Sequence, residues 1–133
     1  MTHKILQPAD WQRAKGYSNG IAARGTQVFI AGQIGWGADQ KFTHLNLAPQ
    51  VRAALQNVVR VLAEAGGGPE HVVRLTWYLT SRQEYLEQLP EIGEAYRAVM
   101  GRHFPTMSVV QVSALMEADA KVEIEATAVL PDT

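Results

Sequence analysis

Two segments of this chain, VFIAG at 28–32 and MSVVQV at 107–112, carry apolar side chains to both sides of an extended strand. A strand with one wet face alternates apolar and polar residues, whereas a continuous apolar run suits a strand covered on both faces. The fold must therefore cover both sides of a sheet, and the helices legible in the sequence fall on one side only. The first is NLAPQVRAALQNVVRVLAEAGGG at 46–68, where Val51, Leu55, Val58, Leu62 and Ala65 recur at intervals of three and four. Pro49 suits its first turn, and Gly66 to Gly68 suit its end. The second begins at SRQE, 81–84, which has the form of a capping box, and carries Tyr85, Leu89, Ile92, Tyr96 and Val99. A proline inside a helix costs about 3 kcal/mol, so Pro90 predicts a short first turn and a helix restarting there, closed by Gly101.

The remaining segments read as strands. YSNGIAAR (17–24) and TQVFIAGQIG (26–35) suggest a tight hairpin about Gly25. HVVRLTWYLT (71–80) is rich in β-branched and aromatic residues, and MSVVQVSAL (107–115) and AKVEIEATAV (120–129) close the chain. Residues 1–15, polar and containing Pro8, predict an arm or an edge strand. The order β-β-α-β-α-β-β implies one α+β domain, 1–133, with both helices on one face of a mixed sheet. An uncovered apolar face marks an interface, so the sequence predicts a homo-oligomer that buries the second face.

Hydrophobic residues make up 47% of the chain and charged residues 19%, the balance of a folded protein. The formal net charge of −1 lacks the basic surplus of a nucleic-acid binder. With no cysteine, disulfides, thiolate nucleophiles and cysteine–zinc sites are excluded. His3, His44, His71 and His103 are scattered, so no metal and no cofactor is expected. No apolar leader opens the chain, and no apolar run nears the roughly 20 residues of a membrane span. The expected location is the cytoplasm.

In AKVEIEATAV, Val122, Ile124, Ala126 and Ala128 share one strand face, and Glu123 and Glu125 share the other. Those carboxylates either face water or line a site; for Glu123 the simpler reading is a solvated carboxylate or an ion pair with Arg74. Trp36, in the glycine-flanked loop GQIGWGADQ, either walls an apolar ligand pocket or plugs a packing surface. Trp77, in an apolar strand, reads as structural.

GYSNG at 16–20, VFIAGQIG at 28–35, VVRLTWYLT at 72–80, FPTMSVVQV at 104–112 and KVEIEATAV at 121–129 together resemble the RidA/YjgF/UK114 family, in the family's order and over nearly the whole chain. The resemblance implies a chorismate-mutase-like fold and a homotrimer whose sheets form a central barrel. It also implies small-molecule sites in three clefts between subunits. The implied activity is hydrolysis of reactive enamines or imines, such as 2-aminoacrylate, to carbonyl compounds and ammonia. By the same resemblance Glu123 holds the attacking water and Tyr17 assists, while Gly32, Met107 and Val109 line the substrate, with Trp36 a further candidate wall.

The chain departs from the family at two of these positions. Met107 stands where the family has a carboxylate-gripping arginine, and Val109 where it has a cysteine. A methionine cannot form the two-pronged pair with a carboxylate. Losing one charge-assisted pair costs about 1.5–3 kcal/mol, so turnover of 2-aminoacrylate is expected to be weak or absent. The substrate is then less acidic, bulkier or more apolar, or another cation, Arg74 or Arg102, supplies the charge. A non-catalytic ligand-binding or regulatory trimer is the alternative. A ribonuclease or translation inhibitor, attributed to some relatives, is disfavoured by the charge balance.

Overall fold

The computed structural model describes residues 3–132. Helix α1, Leu47–Ala63, forms over the predicted stripe, and Val51, Leu55, Val58 and Leu62 are all buried. The stripe stops there: Ala65 lies past the helix and is exposed. Gly66 takes φ +81°, and the Gly67 N–H reaches back to the Leu62 carbonyl at 3.2 Å, so the chain leaves the helix by a left-handed turn.

Strands β3 (Thr26–Ile34), β4 (Val72–Leu79), β5 (Thr106–Gln111) and β6 (Val122–Leu130) form a sheet in the order β3-β6-β4-β5. β6 runs antiparallel to both its neighbours and β5 runs parallel to β4, which makes the sheet mixed. A parallel pair needs a long crossover, here supplied by helices α2 (Arg82–Glu87) and α3 (Leu89–Met100). Ser81 caps α2, its Oγ accepting the Glu84 N–H at 3.1 Å. The second half of the capping box is absent, because the Glu84 carboxylate holds Lys121 Nζ at 2.8 Å. The break at Pro90 occurs as expected, with Pro90 in the first turn of α3.

α1 packs on β3 and β6 and against α3, so the helices lie on one face. Beneath them Leu75, Trp77, Leu79, Val122, Ile124, Ala126 and Ala128 form the buried layer, which matches the alternation of β6. Among the described residues nothing of the same chain covers the other face. VFIAG is consequently split: Ile30 is 4% exposed and Phe29 is 73% exposed.

Two expectations are corrected. Strand β2 (Gly20–Ala23) does not form a hairpin with β3; it pairs with β1 (His3–Leu6) in a separate antiparallel ribbon. Gly25, at φ +143°, serves a long-range contact instead, since a Cβ there would meet the Leu130 carbonyl oxygen at 1.9 Å. The amino-terminal arm thus supplies an edge strand; residues 1 and 2 of it lie outside the described residues. Strand β5 ends at Gln111 and not at residue 115. The segment before β6 is gathered by the buried Gln50 of α1. Its amide donates to the carbonyls of His44 (3.0 Å) and Asp119 (2.8 Å) and accepts the Lys121 N–H (2.8 Å).

Candidate functional site

The segment before β2 is tied to the start of β5. The Ser18 N–H donates to the Pro105 carbonyl at 3.0 Å and Ser18 Oγ to the Phe104 carbonyl at 2.5 Å. Gly16, at φ +79°, turns the chain into this anchor. Lys15 and Tyr17 are thereby held beside Phe104 and β5, the edge of the sheet. On β5, Met107 and Val109 pair with Leu75 and Trp77, so their side chains lie on the helix side. Between this edge and α3 opens a cleft of about 460 Å³.

Aromatic rings line the cleft. Trp77 and Tyr96 stack at 6.4 Å, Tyr96 and Phe104 at 5.7 Å, and Tyr85 meets Trp77 edge-on at 6.4 Å. Trp77 is structural, as its sequence suggested, and also forms part of this lining. The Tyr96 hydroxyl is committed to the His103 carbonyl at 2.5 Å. Burial raises the pKa of the Tyr85 and Tyr96 phenols above the ordinary tyrosine value, so both remain neutral at physiological pH.

Tyr17, Met107 and Val109 therefore share one cleft. Glu123 and Gly32 lie elsewhere, although they lie together. Glu123 pairs with Tyr78 on the uncovered face of the sheet. Its carboxylate folds over Gly32, where a Cβ would come within 2.1 Å of Oε2. The close approach that Gly32 permits is thus to a side chain of its own sheet. Within one chain the Tyr17–Met107 group and the Glu123–Gly32 group lie on opposite faces and do not meet.

The ion pair of Glu123 with Arg74 does not form; among the described residues the salt bridge is Lys121–Glu84. Glu125 takes a hydroxyl and not a cation, accepting the Tyr78 OH at 2.5 Å. That hydrogen bond, then desolvation and the charges of Glu125 and Glu123, raise the Tyr78 phenol above its ordinary value. Trp36 stands apart from both groups. It packs on Phe42 at 5.8 Å, and Asn57 of α1 donates to its carbonyl at 2.9 Å.

Neither Arg74 nor Arg102 lines the Met107 cleft. The cations there are Lys15 and Arg97, and no Asp or Glu is among the lining residues. A Cβ on Gly93, one turn before Arg97, would sit 3.2 Å from Arg97 Nη1, so the guanidinium lies across the glycine. A glycine inside a helix costs about 0.5–1 kcal/mol relative to alanine. Sequence reasoning missed Lys15, Tyr85, Tyr96, Phe104 and Arg97 as cleft residues. A mid-helix glycine four residues before an arginine was the available signal. Among the described residues no group of three or more His, Asp or Glu side chains is placed to hold a metal ion. No described helix is long and apolar enough to cross a membrane.

The family model described as Endoribonuclease L-PSP matches residues 8–130. The chain belongs to the RidA/YjgF/UK114 family. A RutC family protein of Synechocystis is 36% identical over 140 residues, covering 98% of this chain and 99% of that protein. An Escherichia coli protein named as a candidate reactive intermediate deaminase, TdcF, is 33% identical over 125 residues, 89% of this chain and 92% of its own. Among solved structures, the Rid family protein YyfB of Yersinia pestis superposes with a TM-score of 0.86 at 28% identity, covering 98% of this chain and 100% of that one. E. coli TdcF with bound serine gives 0.69 at 31% identity, over 96% of this chain and 99% of that one. The mixed sheet with helices on one face is thus the family's architecture.

Proposed function

We propose that this chain is a homotrimer that hydrolyses a small enamine or imine to a carbonyl compound and ammonia, in clefts between subunits. The observation that carries the reading is the division of the candidate site. Tyr17 and Met107 line a concave aromatic cleft, while Glu123 and Gly32 lie on a sheet face left uncovered in one chain. A neighbouring copy buries that face, which includes the exposed Phe29 and Val110, and completes the cleft. The name of TdcF and its serine-bound structure support a small, amine-derived substrate.

The chemistry needs little machinery. An enamine tautomerises to its imine. Water, held by Glu123, adds to the imine carbon; the carboxylate accepts one of its protons and passes it to the imine nitrogen, which gives a neutral carbinolamine. The carbinolamine then collapses: the carboxylate takes the hydroxyl proton and passes it to the amino nitrogen, the oxygen forms the carbonyl, the C–N bond breaks, and ammonia leaves with the carboxylate regenerated. Tyr17, a donor and an acceptor, holds the substrate or the water. Met107 offers no charge, so recognition rests on shape and on whatever cation lies across the cleft.

The test is an amino-acid oxidase assay that generates imino acids in situ and times keto-acid release, for wild type and Met107→Arg. Acceleration by wild type with an aromatic imino acid is expected, together with a shift toward the three-carbon substrate in Met107→Arg. No acceleration by either protein, with the trimer verified by sedimentation, overturns the hydrolase. The second reading, a trimer that binds its ligand without chemistry, is favoured by Met107 and by the lack of any carboxylate lining the cleft in one chain. Saturable binding without product would establish it.

A further inference from the structure

We propose that Arg97, assisted by Lys15, is the anion-binding group of the Met107 cleft, and that the cleft takes a small carboxylate with an aromatic or comparably bulky apolar body. The inference deepens the proposed function, because it rests on that cleft being the ligand site. Four observations lead to it.

Both charged residues that line the cleft within one chain are cations, and the single Glu123 that a neighbouring copy would bring leaves positive charge in excess. A cavity with one sign of charge and apolar walls concentrates ions of the other sign. Arg97 also has no ion-pair partner among the described residues, where the salt bridge is Lys121–Glu84. Its nearest acidic neighbours on α3, Glu91 and Glu94, line a different concavity, together with Arg52 and His44. The planar guanidinium is therefore free to grip a carboxylate with two parallel hydrogen bonds.

The third observation is Gly93. A Cβ there would stand 3.2 Å from Nη1, 3.8 Å from Cζ and 3.8 Å from Nη2 of Arg97. The whole guanidinium thus lies against the one position of α3 that lacks a side chain, and Gly93 itself lines the cleft. A longer side chain at 93 would lift the cation off the helix. The residue that weakens the helix is the one that lets the charge lie low over the cavity.

Size and lining give the rest of the ligand. A cleft of about 460 Å³ is larger than a three-carbon acid fills. The half-buried rings of Tyr85 and Phe104, backed by the buried Trp77 and Tyr96, offer aromatic surface suited to packing another ring. The cation comes from the helix and not from β5, so the polarity of the cleft is set across it. The carboxylate end sits at α3 and the apolar end extends toward Met107 and Val109.

Calorimetric titration with 3-phenylpropionate, its uncharged amide and propionate tests this on wild type, Arg97→Gln, Arg97→Lys and Lys15→Gln. Wild type is expected to bind 3-phenylpropionate well above propionate. Arg97→Gln should weaken it about ten-fold or more while leaving the amide unchanged, Arg97→Lys should lose less, and Lys15→Gln least. Unchanged amide binding shows that the variants are folded and the cavity intact. Equal affinity of wild type and Arg97→Gln for 3-phenylpropionate, or no binding by wild type, overturns the proposal. The two readings also separate. Binding that depends on Arg97 without turnover of any imino acid sustains this inference and removes the hydrolase; turnover indifferent to Arg97→Gln does the reverse.

Discussion

Gly32→Ala gives the sharpest link between packing and chemistry. The added methyl would lie 2.1 Å from Glu123 Oε2, 2.8 Å from Cδ and 2.9 Å from Cγ, where ordinary contact begins at 3.4 Å. Gly32 has no positive φ, so the backbone accepts alanine, and the side chain of Glu123 must yield. Its carboxylate has to retreat by about 1 Å. An off-rotamer side chain costs about 0.5–1.5 kcal/mol, which lowers the melting temperature by only a few degrees in a chain of this size. A misplacement of about 1 Å in a catalytic group costs on the order of 100-fold in rate. The expected result is therefore a nearly intact thermal melt with imine turnover down about 100-fold, chiefly in kcat. Calorimetry and the oxidase-coupled assay read the two quantities separately. Unchanged turnover would refute the reasoning, because Glu123 would then have been displaced at no cost. A collapse of the melt would place Gly32 in packing alone.

Other expected outcomes follow from the same structure. Gln50→Ala strands two carbonyls and an N–H that Gln50 now satisfies, and should cost about 2–4 kcal/mol in urea unfolding; a loss below about 1 kcal/mol would mean water replaces the amide. Gly93→Ala should raise stability by about 0.5–1 kcal/mol, read by the same titration, since the new methyl meets only the far end of Arg97. Phe29→Glu puts a charge on the uncovered face and should dissociate the proposed trimer in sedimentation; an unchanged sedimentation coefficient would put the interface elsewhere. Stability should be full below about pH 10 and fall above it, because an unfolded chain releases phenolic protons there that buried Tyr85 and Tyr96 retain. Tyr96→Phe should flatten that fall.

The elements that were legible have a local cause. The stripe of α1, the restart at Pro90 and the alternation in β6 each follow from residues within two or three turns of one another. The misread hairpin shows where that logic ends. Glycine between two strands usually means a turn, but Gly25 is a glycine because Leu130, over a hundred positions away, leaves no room for a Cβ. Likewise VSAL after β5 is apolar enough for a strand, yet the segment beyond is organised by Gln50 from α1. The site divides the same way. Tyr17, Met107 and Val109 were singled out through the family resemblance, since nothing local links residue 17 to β5; the Ser18 bonds to Phe104 and Pro105 do so. Arg97 is hidden in the sequence, because an arginine on an amphipathic helix reads as a solvated one. Tyr85 and Tyr96 fit the helical stripe so well that their second role, as walls of the cleft at the sheet edge, was hidden.

In the proposed reaction Glu123 drives water onto an imine. The most direct measurement is keto-acid release from an oxidase-generated aromatic imino acid, in wild type and Glu123→Gln, which keeps the shape of the side chain and removes its basicity. Wild type is expected to accelerate release over the spontaneous rate, and Glu123→Gln to lose about 100-fold or more of that acceleration. Equal rates for the two proteins would contradict that role for Glu123.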